Sequence, residues 1–204
     1  MIRILSVDDH PLLREGIAAL LGKQADMELI AEASNGREAL EQFRTHRPDI
    51  TLMDLQMPAM SGIDAIGAIR GEFPEARVIV LTTHAGDYHV FRALKAGARA
   101  YLLKGMLRKE LLETIRAVHA GQKRLSSEIA AEIAEHATDD ALTPRETDVL
   151  CWIARGNANK EIAAQLTLTE ETVKAHVKNI LAKLGAHDRT HAVTIGLKRG
   201  IIEL

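Results

Sequence analysis

The segment ITLMDLQMPAMSG, residues 50–62, is the part of the sequence that says most about the fold. In it, an aspartate stands between an apolar run and a loop that contains proline and glycine. Its first four residues are apolar or β-branched, which is typical of a short buried strand. Asp54 ends this run, Pro58 fixes a backbone angle in the loop, and Gly62 permits a tight start to the next helix. The segment therefore predicts a strand, a loop and a helix, with an acidic side chain at the end of the strand.

Four more short apolar runs flank this segment, and each is followed by an amphipathic stretch with the period of a helix. The predicted strands are residues 2–7, 28–33, 50–53, 78–81 and 100–103. The predicted helices are residues 11–21, 37–45, 62–71, 88–96 and 108–120. Strands that alternate with helices predict a five-stranded parallel sheet with helices on both faces, a doubly wound, flavodoxin-like α/β fold.

Acidic residues also follow the first predicted strand, where Asp8 and Asp9 come directly after residue 7. Because the carboxyl ends of parallel strands meet at one edge of a sheet, we expect these carboxylates to lie near Asp54. Clustered carboxylates repel each other unless a cation neutralises them, and hard oxygen ligands suit Mg²⁺. The sequence therefore predicts a magnesium site at this edge, with Asp54 as an acceptor for a phosphoryl group.

Thr82 follows the fourth predicted strand and Lys104 the fifth, so a hydroxyl and an ammonium join the same edge. Each of them can contact a phosphoryl oxygen. Taken singly, each residue has an ordinary interpretation, since an aspartate after a strand is usually a helix cap and a loop lysine is usually solvated. Five such residues at the ends of four strands favour a common site.

The segments VDDH, MDLQMPAMSG, VLTTHAG and AGARAYLLKG together resemble the receiver domain of bacterial response regulators, over residues 2–120. The resemblance implies that Asp54 is phosphorylated. It also implies a Mg²⁺ site whose ligands are Asp8, Asp9, Asp54 and the backbone carbonyl of Gln56.

The same resemblance implies that Thr82 and Lys104 bind the phosphoryl group. It makes Tyr101 the aromatic residue whose rotamer couples to Thr82, while an edge-strand aromatic that fills the core is the alternative. The sequence departs from the family at Gly105, because many receivers have a proline after the lysine. This departure leaves the local geometry of Lys104 open.

The second half of the chain has no comparable strand pattern and predicts a small all-α domain of four helices. Thr143, Pro144 and Glu146 form a capped helix start. The predicted caps of the three following helices are Asn159, Thr169 and Asp188. In the predicted helix at residues 170–184, an apolar stripe faces the core and Lys174 and Lys178 lie one turn apart on the opposite face.

No acidic residue occurs between positions 172 and 183, so this helix face is basic. A basic face on the second helix of a pair suits the major groove of DNA, and a solvated charged face is the alternative. The segments LTPRETDVLCWIARGNANKEIAAQL and TEETVKAHVKNILAKLGAHDRTHAV resemble the LuxR-type helix-turn-helix domain. Joined to a receiver, this domain resembles the NarL/FixJ group of transcription regulators.

This second resemblance implies that Lys174 and Lys178 face base edges. The residues that it places near phosphates are Thr172, Asn159, Lys160 and Lys183. His176 has two interpretations, a phosphate contact and a surface residue packed beside the helix. Position 175 is often valine in the family and is Ala175 here, so the docking carries over but the target sequence does not.

The predicted organisation is a receiver at residues 1–121, a linker at residues 122–141 and a DNA-binding domain at residues 142–204. The predicted function is that of a response regulator and not of an enzyme. Phosphorylation by a sensor histidine kinase would control sequence-specific binding to promoter DNA. RNA polymerase is a further candidate partner, and we expect a homodimer when the protein is phosphorylated or on DNA.

Two other functions are consistent with parts of this pattern. The first is a receiver-linked protein-interaction module without sequence-specific DNA binding, which a DNA-binding titration would distinguish. The second is a phosphotransferase or phosphatase with a strand-end aspartate, which turnover of a small substrate would reveal. Phosphatases of the haloacid dehalogenase type have a second aspartate two residues later, where this chain has Gln56.

The composition agrees with a cytoplasmic protein of two domains. The 204 residues contain one cysteine, which excludes an internal disulfide. No apolar run reaches the length of a membrane span, and the segment MIRILSVDDH predicts a strand and not a signal peptide.

Overall fold

The computed structural model describes residues 1–83, 87–105, 108–125, 130 and 141–202. These residues belong to two compact units, a parallel sheet with its helices and a helical unit. This confirms the fold class predicted from the sequence. Within the described part of the chain, no helix has the length and apolar character needed to cross a membrane.

The first unit alternates strands and helices along the chain. Its strands are β1 (Ile2–Val7), β2 (Met27–Ala33), β3 (Ile50–Met53), β4 (Val78–Thr82), β5 (Ala100–Leu103) and β6 (Arg124–Leu125). Its helices are α1 (Pro11–Leu21), α2 (Gly36–His46), α3 (Gly62–Glu72), α4 (Asp87–Ala96) and α5 (Arg108–His119). Every strand and helix predicted in this half is present, with ends within about one residue of the prediction.

The strand order in the sheet is β2-β1-β3-β4-β5-β6, and all neighbouring strands are parallel. After β2 the chain returns to the other side of β1, so the strand order reverses between β1 and β3. Such a reversal opens a crevice at the carboxyl ends of the two strands, where doubly wound proteins bind their ligands. Asp8 follows β1 and Asp54 follows β3, so both residues lie at this crevice.

The prediction of five strands is wrong by one strand. The sixth strand, β6, extends the sheet through the pairs Ala100–Arg124 and Tyr101–Leu125. Two residues are too few to show an alternation of apolar and polar side chains, and both are exposed, so the sequence carries no strand signal there. β6 lies within the predicted linker at residues 122–141, of which residues 126–129 and 131–140 are outside the described residues.

The core of the first unit explains why its strands appear as continuous apolar runs. Ile4, Ile50 and Ile79 are fully buried between the sheet and helices α1 and α5. Every residue of β3 and β4 is buried, as expected for the central strands of a sheet that is covered on both faces.

The second unit consists, in its described residues, of α6 (Pro144–Ala154), α7 (Asn159–Leu166), α8 (Glu170–Leu184) and α9 (Arg189–Lys198). The predicted caps Thr143, Thr169 and Asp188 are confirmed, since each side chain accepts a backbone N–H at its helix start. The prediction of Asn159 as a cap is wrong, because the cap is Ala158. Glu161 accepts the N–H of Ala158 at 2.7 Å, so this helix start needs no polar side chain at the cap position.

Candidate functional site

Two buried carboxylates lie side by side at the strand reversal. Val7 and Met53 are paired in the sheet, and Asp8 and Asp54 follow them directly. The Asp54 N–H donates to the Val7 carbonyl at 2.9 Å, which extends the pairing of β1 and β3 by one residue. Both aspartate side chains are almost fully buried, so the backbone geometry of two strands fixes the positions of both charges.

Lys104 bridges these two carboxylates. Its Nζ lies 2.7 Å from Asp54 Oδ2 and 2.8 Å from Asp8 Oδ2, and its side chain is only 10% exposed. The Lys104 N–H donates to the Thr82 carbonyl at 2.7 Å, so the paired ends of β4 and β5 position the lysine. The geometry that Gly105 left open in the sequence is therefore a direct pairing of Lys104 with both aspartates.

The electrostatics of this cluster are unbalanced, because two carboxylates share one ammonium. Burial raises the pKa of Asp54, and the nearby Asp8 adds to this, against a lowering by Lys104. Burial alone would lower the pKa of Lys104, but its hydrogen bonds to the two aspartates outweigh this and raise it. The site therefore keeps its lysine charged, while burial disfavours the charged form of Asp54, which a further cation would stabilise.

The loop after β3 holds the other Asp54 oxygen. Asp54 Oδ1 accepts backbone N–H groups from Leu55 at 2.7 Å and Gln56 at 3.4 Å. A Cβ on Gly62 would lie 1.9 Å from the Asp54 carbonyl oxygen, so only glycine allows α3 to begin this close to the acceptor residue. Gln56 is half-buried within the same loop.

Asp9 and His10 lie beside Asp8 and Asp54 at the same edge of the sheet, which we call the acidic edge. His10 Nδ1 lies 2.7 Å from Asp9 Oδ1 and 3.2 Å from Asp8 Oδ1. One ligand atom from each of Asp8, Asp9, His10 and Asp54 lies within 4.8 Å of the others. Three carboxylates at this spacing form an acidic pocket with the chemistry of a Mg²⁺ site. Sequence reasoning missed His10, although its place directly after two aspartates is a visible signal.

Thr82 and Tyr101 are both buried in the sheet. Thr82 is the last residue of β4, and Tyr101 is fully buried on β5, paired with Val80 on one side and Leu125 on the other. Tyr101 therefore does not lie on an edge strand, because β6 covers β5. Among the residues that the structure describes, a Cβ added at Gly105 would meet no heavy atom within 4 Å, so none of them requires glycine at this position.

The second candidate surface is the outer face of α8. Val173 and Ile180 are fully buried on its inner face, whereas Lys174 and Lys178 are exposed. Lys174 Nζ lies 3.4 Å from Glu170 Oε1 at the start of the same helix. Of the other predicted contact residues, Lys160 is exposed and Thr172, His176 and Asn159 are half-buried.

Lys183 has a different environment from the other lysines of α8. Its Nζ lies 2.8 Å from Glu146 Oε2 and 3.2 Å from the Ala141 carbonyl oxygen, and its side chain is 23% exposed. To contact a DNA phosphate, the Lys183 ammonium would have to bind it while it also pairs with Glu146. Burial pushes the pKa of Glu146 upward, but Lys183 and the Thr143 N–H outweigh it and lower the pKa. The sequence indicated Glu146 only as a capping residue, and it carries no local signal for a partner 37 positions away.

Comparisons with known proteins agree with both units. The family model of the response regulator receiver domain matches residues 4–116. The family model of the bacterial regulatory proteins of the luxR family matches residues 140–195.

Relatives from Bacillus subtilis (strain 168) match nearly the whole chain. The uncharacterized transcriptional regulatory protein YhcZ is 43% identical and covers 97% of this chain and 96% of its own length. The transcriptional regulatory protein LiaR is 40% identical and covers 99% of this chain and 100% of its own length. The solved structure of a two-component response regulator of the LuxR family from Aurantimonas sp. SI85-9A1 is 38% identical, with a TM-score of 0.65, and covers 68% of this chain and 99% of its own. The chain therefore belongs to the two-component response regulators that join a receiver domain to a LuxR-type DNA-binding domain.

Proposed function

We propose that Asp54 accepts a phosphoryl group from a sensor histidine kinase and that this controls the binding of α8 to promoter DNA. The observation that carries the proposal is the pairing of Asp8 and Asp54 with a single ammonium, that of Lys104, at the strand reversal. In this proposal residues 1–121 form the receiver domain that accepts the phosphoryl group. Residues 122–141 form a linker, and residues 142–204 form the domain that binds DNA.

In the transfer, an Asp54 carboxylate oxygen forms a bond to phosphorus while the P–N bond of the kinase phosphohistidine breaks. The imidazole of the kinase leaves and takes up a proton. Lys104 lies within hydrogen-bond distance of Asp54. In this proposal the Lys104 ammonium and the Thr82 hydroxyl donate to phosphoryl oxygens. The N–H groups of Leu55 and Gln56 hold the carboxylate in one orientation.

The residues at the acidic edge fit a divalent cation by the chemistry of their donors. Carboxylates of Asp8, Asp9 and Asp54, with the backbone carbonyl of Gln56, are oxygen ligands of the kind that Mg²⁺ prefers. When bound, Mg²⁺ neutralises negative charge on the phosphoryl oxygens. Its presence would stabilise the charged form of Asp54, which burial disfavours.

The switch residues of the proposal are Thr82 and Tyr101. Thr82 moves toward the phosphoryl oxygen, and Tyr101 turns into the space that it leaves. Both side chains are buried, so these moves change packing at β4 and β5 and shift the population between two states. Homodimerisation is the proposed result. Sedimentation with and without a phosphate mimic tests it, and identical profiles would contradict it.

The outer face of α8 is the proposed DNA-reading surface. Its inner face is held by Val173 and Ile180, so Lys174 and Lys178 point outward, where they can reach base edges in a major groove. The proposed phosphate contacts are Thr172, Asn159, Lys160, Lys183 and His176.

The test of the acceptor is Asp54→Asn, incubated with Mg²⁺ and acetyl phosphate. We expect incorporation of phosphate to be abolished. The matched control is Asp49→Asn, because Asp49 lies at the other end of β3, where it accepts the Arg3 N–H at 2.8 Å, and this variant should label like the parent. If Asp54→Asn labels as well as the parent and the phosphate maps to another residue, the proposal is wrong.

A further inference from the structure

His10 lies at the acidic edge without a part in the phosphoryl transfer proposed above. It occupies the cap position of α1, where a side chain usually accepts a backbone N–H, but it makes no such capping hydrogen bond. Its ring instead faces two carboxylates, with Nδ1 2.7 Å from Asp9 Oδ1 and 3.2 Å from Asp8 Oδ1. The imidazole is therefore directed to the acidic pocket and not to its own helix.

The backbone holds His10 in this position. Pro11 begins α1, and a residue before proline is restricted to extended conformations, which His10 adopts with φ −91° and ψ 106°. The His10 N–H donates to Asp8 Oδ1 at 2.9 Å, so the main chain itself is anchored to a pocket carboxylate. The backbone of His10 is thus placed beside the pocket by two independent constraints, while 69% of its side chain is exposed.

His10 and Lys104 approach Asp8 from different sides. Lys104 contacts Asp8 Oδ2 at 2.8 Å, whereas His10 faces Oδ1. The imidazole can therefore bind an ion at the Oδ1 side without displacing the lysine from its oxygen.

The spacing of the four candidate ligand atoms is close to that of one coordination sphere. Two ligands that are each about 2.1 Å from an ion lie at most about 4.2 Å apart. The ligand atoms of Asp8, Asp9, His10 and Asp54 lie within 4.8 Å of one another. The upper bound exceeds this limit by roughly half an ångström, so small movements of the side chains would bring the four atoms around one ion.

We propose that His10 Nδ1 is a nitrogen ligand of the acidic pocket and shifts its metal preference from Mg²⁺ toward first-row transition ions such as Mn²⁺. This inference rests on the proposed metal site of the receiver and adds a ligand to it. Imidazole nitrogen favours transition ions, while Mg²⁺ prefers an all-oxygen shell with several waters. A neutral ring that binds through Nδ1 carries its proton on Nε2.

The test uses the full chain with Mn²⁺ as the probe, in the parent and in His10→Asn. In the parent, electron spin-echo spectra of Mn²⁺ bound at the site that Mg²⁺ competes for should show coupling to an imidazole ¹⁴N. His10→Asn should lose this coupling, and its ratio of Mn²⁺ to Mg²⁺ affinity should fall on the order of tenfold. The matched control is His119→Asn, at the end of α5 in the same unit, which should behave like the parent.

Each other outcome overturns a different statement. A parent that binds Mn²⁺ without ¹⁴N coupling, or an unchanged affinity ratio in His10→Asn, overturns the role of His10 and leaves the metal site intact. A parent in which neither ion binds overturns both the role of His10 and the metal site proposed for phosphorylation. Circular dichroism of His10→Asn shows whether the variant is folded, and the spectrum of the parent decides the inference even if it is not.

Discussion

Each of the two units contains a cluster in which a partly buried lysine pairs with buried carboxylate, and the two clusters are built differently. In the first unit, Lys104 is shared by Asp8 and Asp54, at 2.8 and 2.7 Å. In the second unit, Lys183 pairs with the single carboxylate of Glu146 at 2.8 Å. The first cluster thus has two carboxylates for one lysine, whereas the second has one carboxylate for one lysine.

The pKa shifts of the two carboxyl groups follow this ratio. Burial raises the pKa of Asp54 more than Lys104 lowers it, whereas Lys183 and the Thr143 N–H lower the pKa of Glu146 despite burial. Two buried carboxylates that share one ammonium favour the binding of a further cation, whereas the balanced pair of Glu146 and Lys183 needs no further ion. We infer that the first cluster is kept for chemistry and the second for the position of α8 relative to α6.

The largest expected effect comes from removing the shared lysine. Lys104→Met leaves two buried carboxylates without a cation, so the unfolding free energy of the first unit in Mg²⁺-free buffer should fall by about 3 kcal/mol. Mg²⁺ should restore most of this loss and bind more tightly than to the parent, because no neighbouring ammonium repels it. Hydrogen exchange of the amides of β1 and β3 measures the change.

The matched variant for this experiment is Lys183→Met in the other cluster. It should lose stability in the second unit, but Mg²⁺ should not restore it, since a single carboxylate is a poor magnesium site. If Mg²⁺ restored the stability of both variants equally, or of neither, this would contradict the proposed difference between the two clusters.

A somewhat smaller effect is expected when the balanced pair is broken. Glu146→Leu and Lys183→Met should each lower the unfolding free energy by about 2 kcal/mol, because one buried partner loses its counter-ion. The double variant should lose less than the sum, since it removes both charges together. Trp152, the only tryptophan, lies on α6 and reports unfolding of this unit by fluorescence.

The control for the balanced pair is Lys160→Met, at an exposed position of α7, where a change of less than about 0.5 kcal/mol is expected. Strict additivity of the two core substitutions would show that Glu146 and Lys183 do not interact.

The meeting of Asp8, Asp54 and Lys104 in the first cluster was predictable, because it follows from local patterns. A short apolar run predicts a strand, an aspartate directly after it lies at the carboxyl end, and parallel topology brings such ends together. Asp8 and Asp54 meet for this reason, and the lysine after β5 joins them. The helices were equally predictable from their period of apolar residues.

Other features depend on contacts between distant parts of the chain, which no local pattern encodes. The strand β6 exists because it pairs with β5, and its two exposed residues have no strand character of their own. The pairing of Glu146 with Lys183 spans 37 positions. The direction of the His10 ring depends on side-chain rotamers, which sequence spacing does not determine.

Helix α8 carries both exposed lysines and the paired Lys183, so their effects on DNA binding can be compared. Lys178→Ala should weaken binding at the cognate duplex by about 1 kcal/mol and relax base choice at one position, because an exposed lysine is free to reach a base edge. If Lys183 also contacts a phosphate, Lys183→Ala should weaken cognate and scrambled duplexes equally and reduce the salt slope by about one unit.

Titrations at several salt concentrations separate these roles, after circular dichroism has shown that both variants are folded. An unchanged salt slope for Lys183→Ala, with loss of stability, would assign Lys183 to the Glu146 pair alone. If neither variant affects binding, α8 is not the recognition helix.

The smallest expected effect is the response of the balanced pair to acid. The folded pKa of Glu146 is lowered below the ordinary glutamate value of about 4.5, since Lys183 and the Thr143 N–H favour its charged form more than burial disfavours it. A carboxyl group with a lowered folded pKa contributes stability that is fully present above the unfolded pKa and is lost as the pH falls through the folded one. The parent should therefore lose stability in the second unit below about pH 4.5, by under about 1 kcal/mol from this group, because burial opposes the lowering. Glu146→Gln is less stable at neutral pH but should lack this part of the acid slope. Unfolding followed by Trp152 fluorescence at pH 7 and pH 3.5 measures both slopes, and equal slopes in the two proteins would show that Glu146 is not held in its charged form by Lys183.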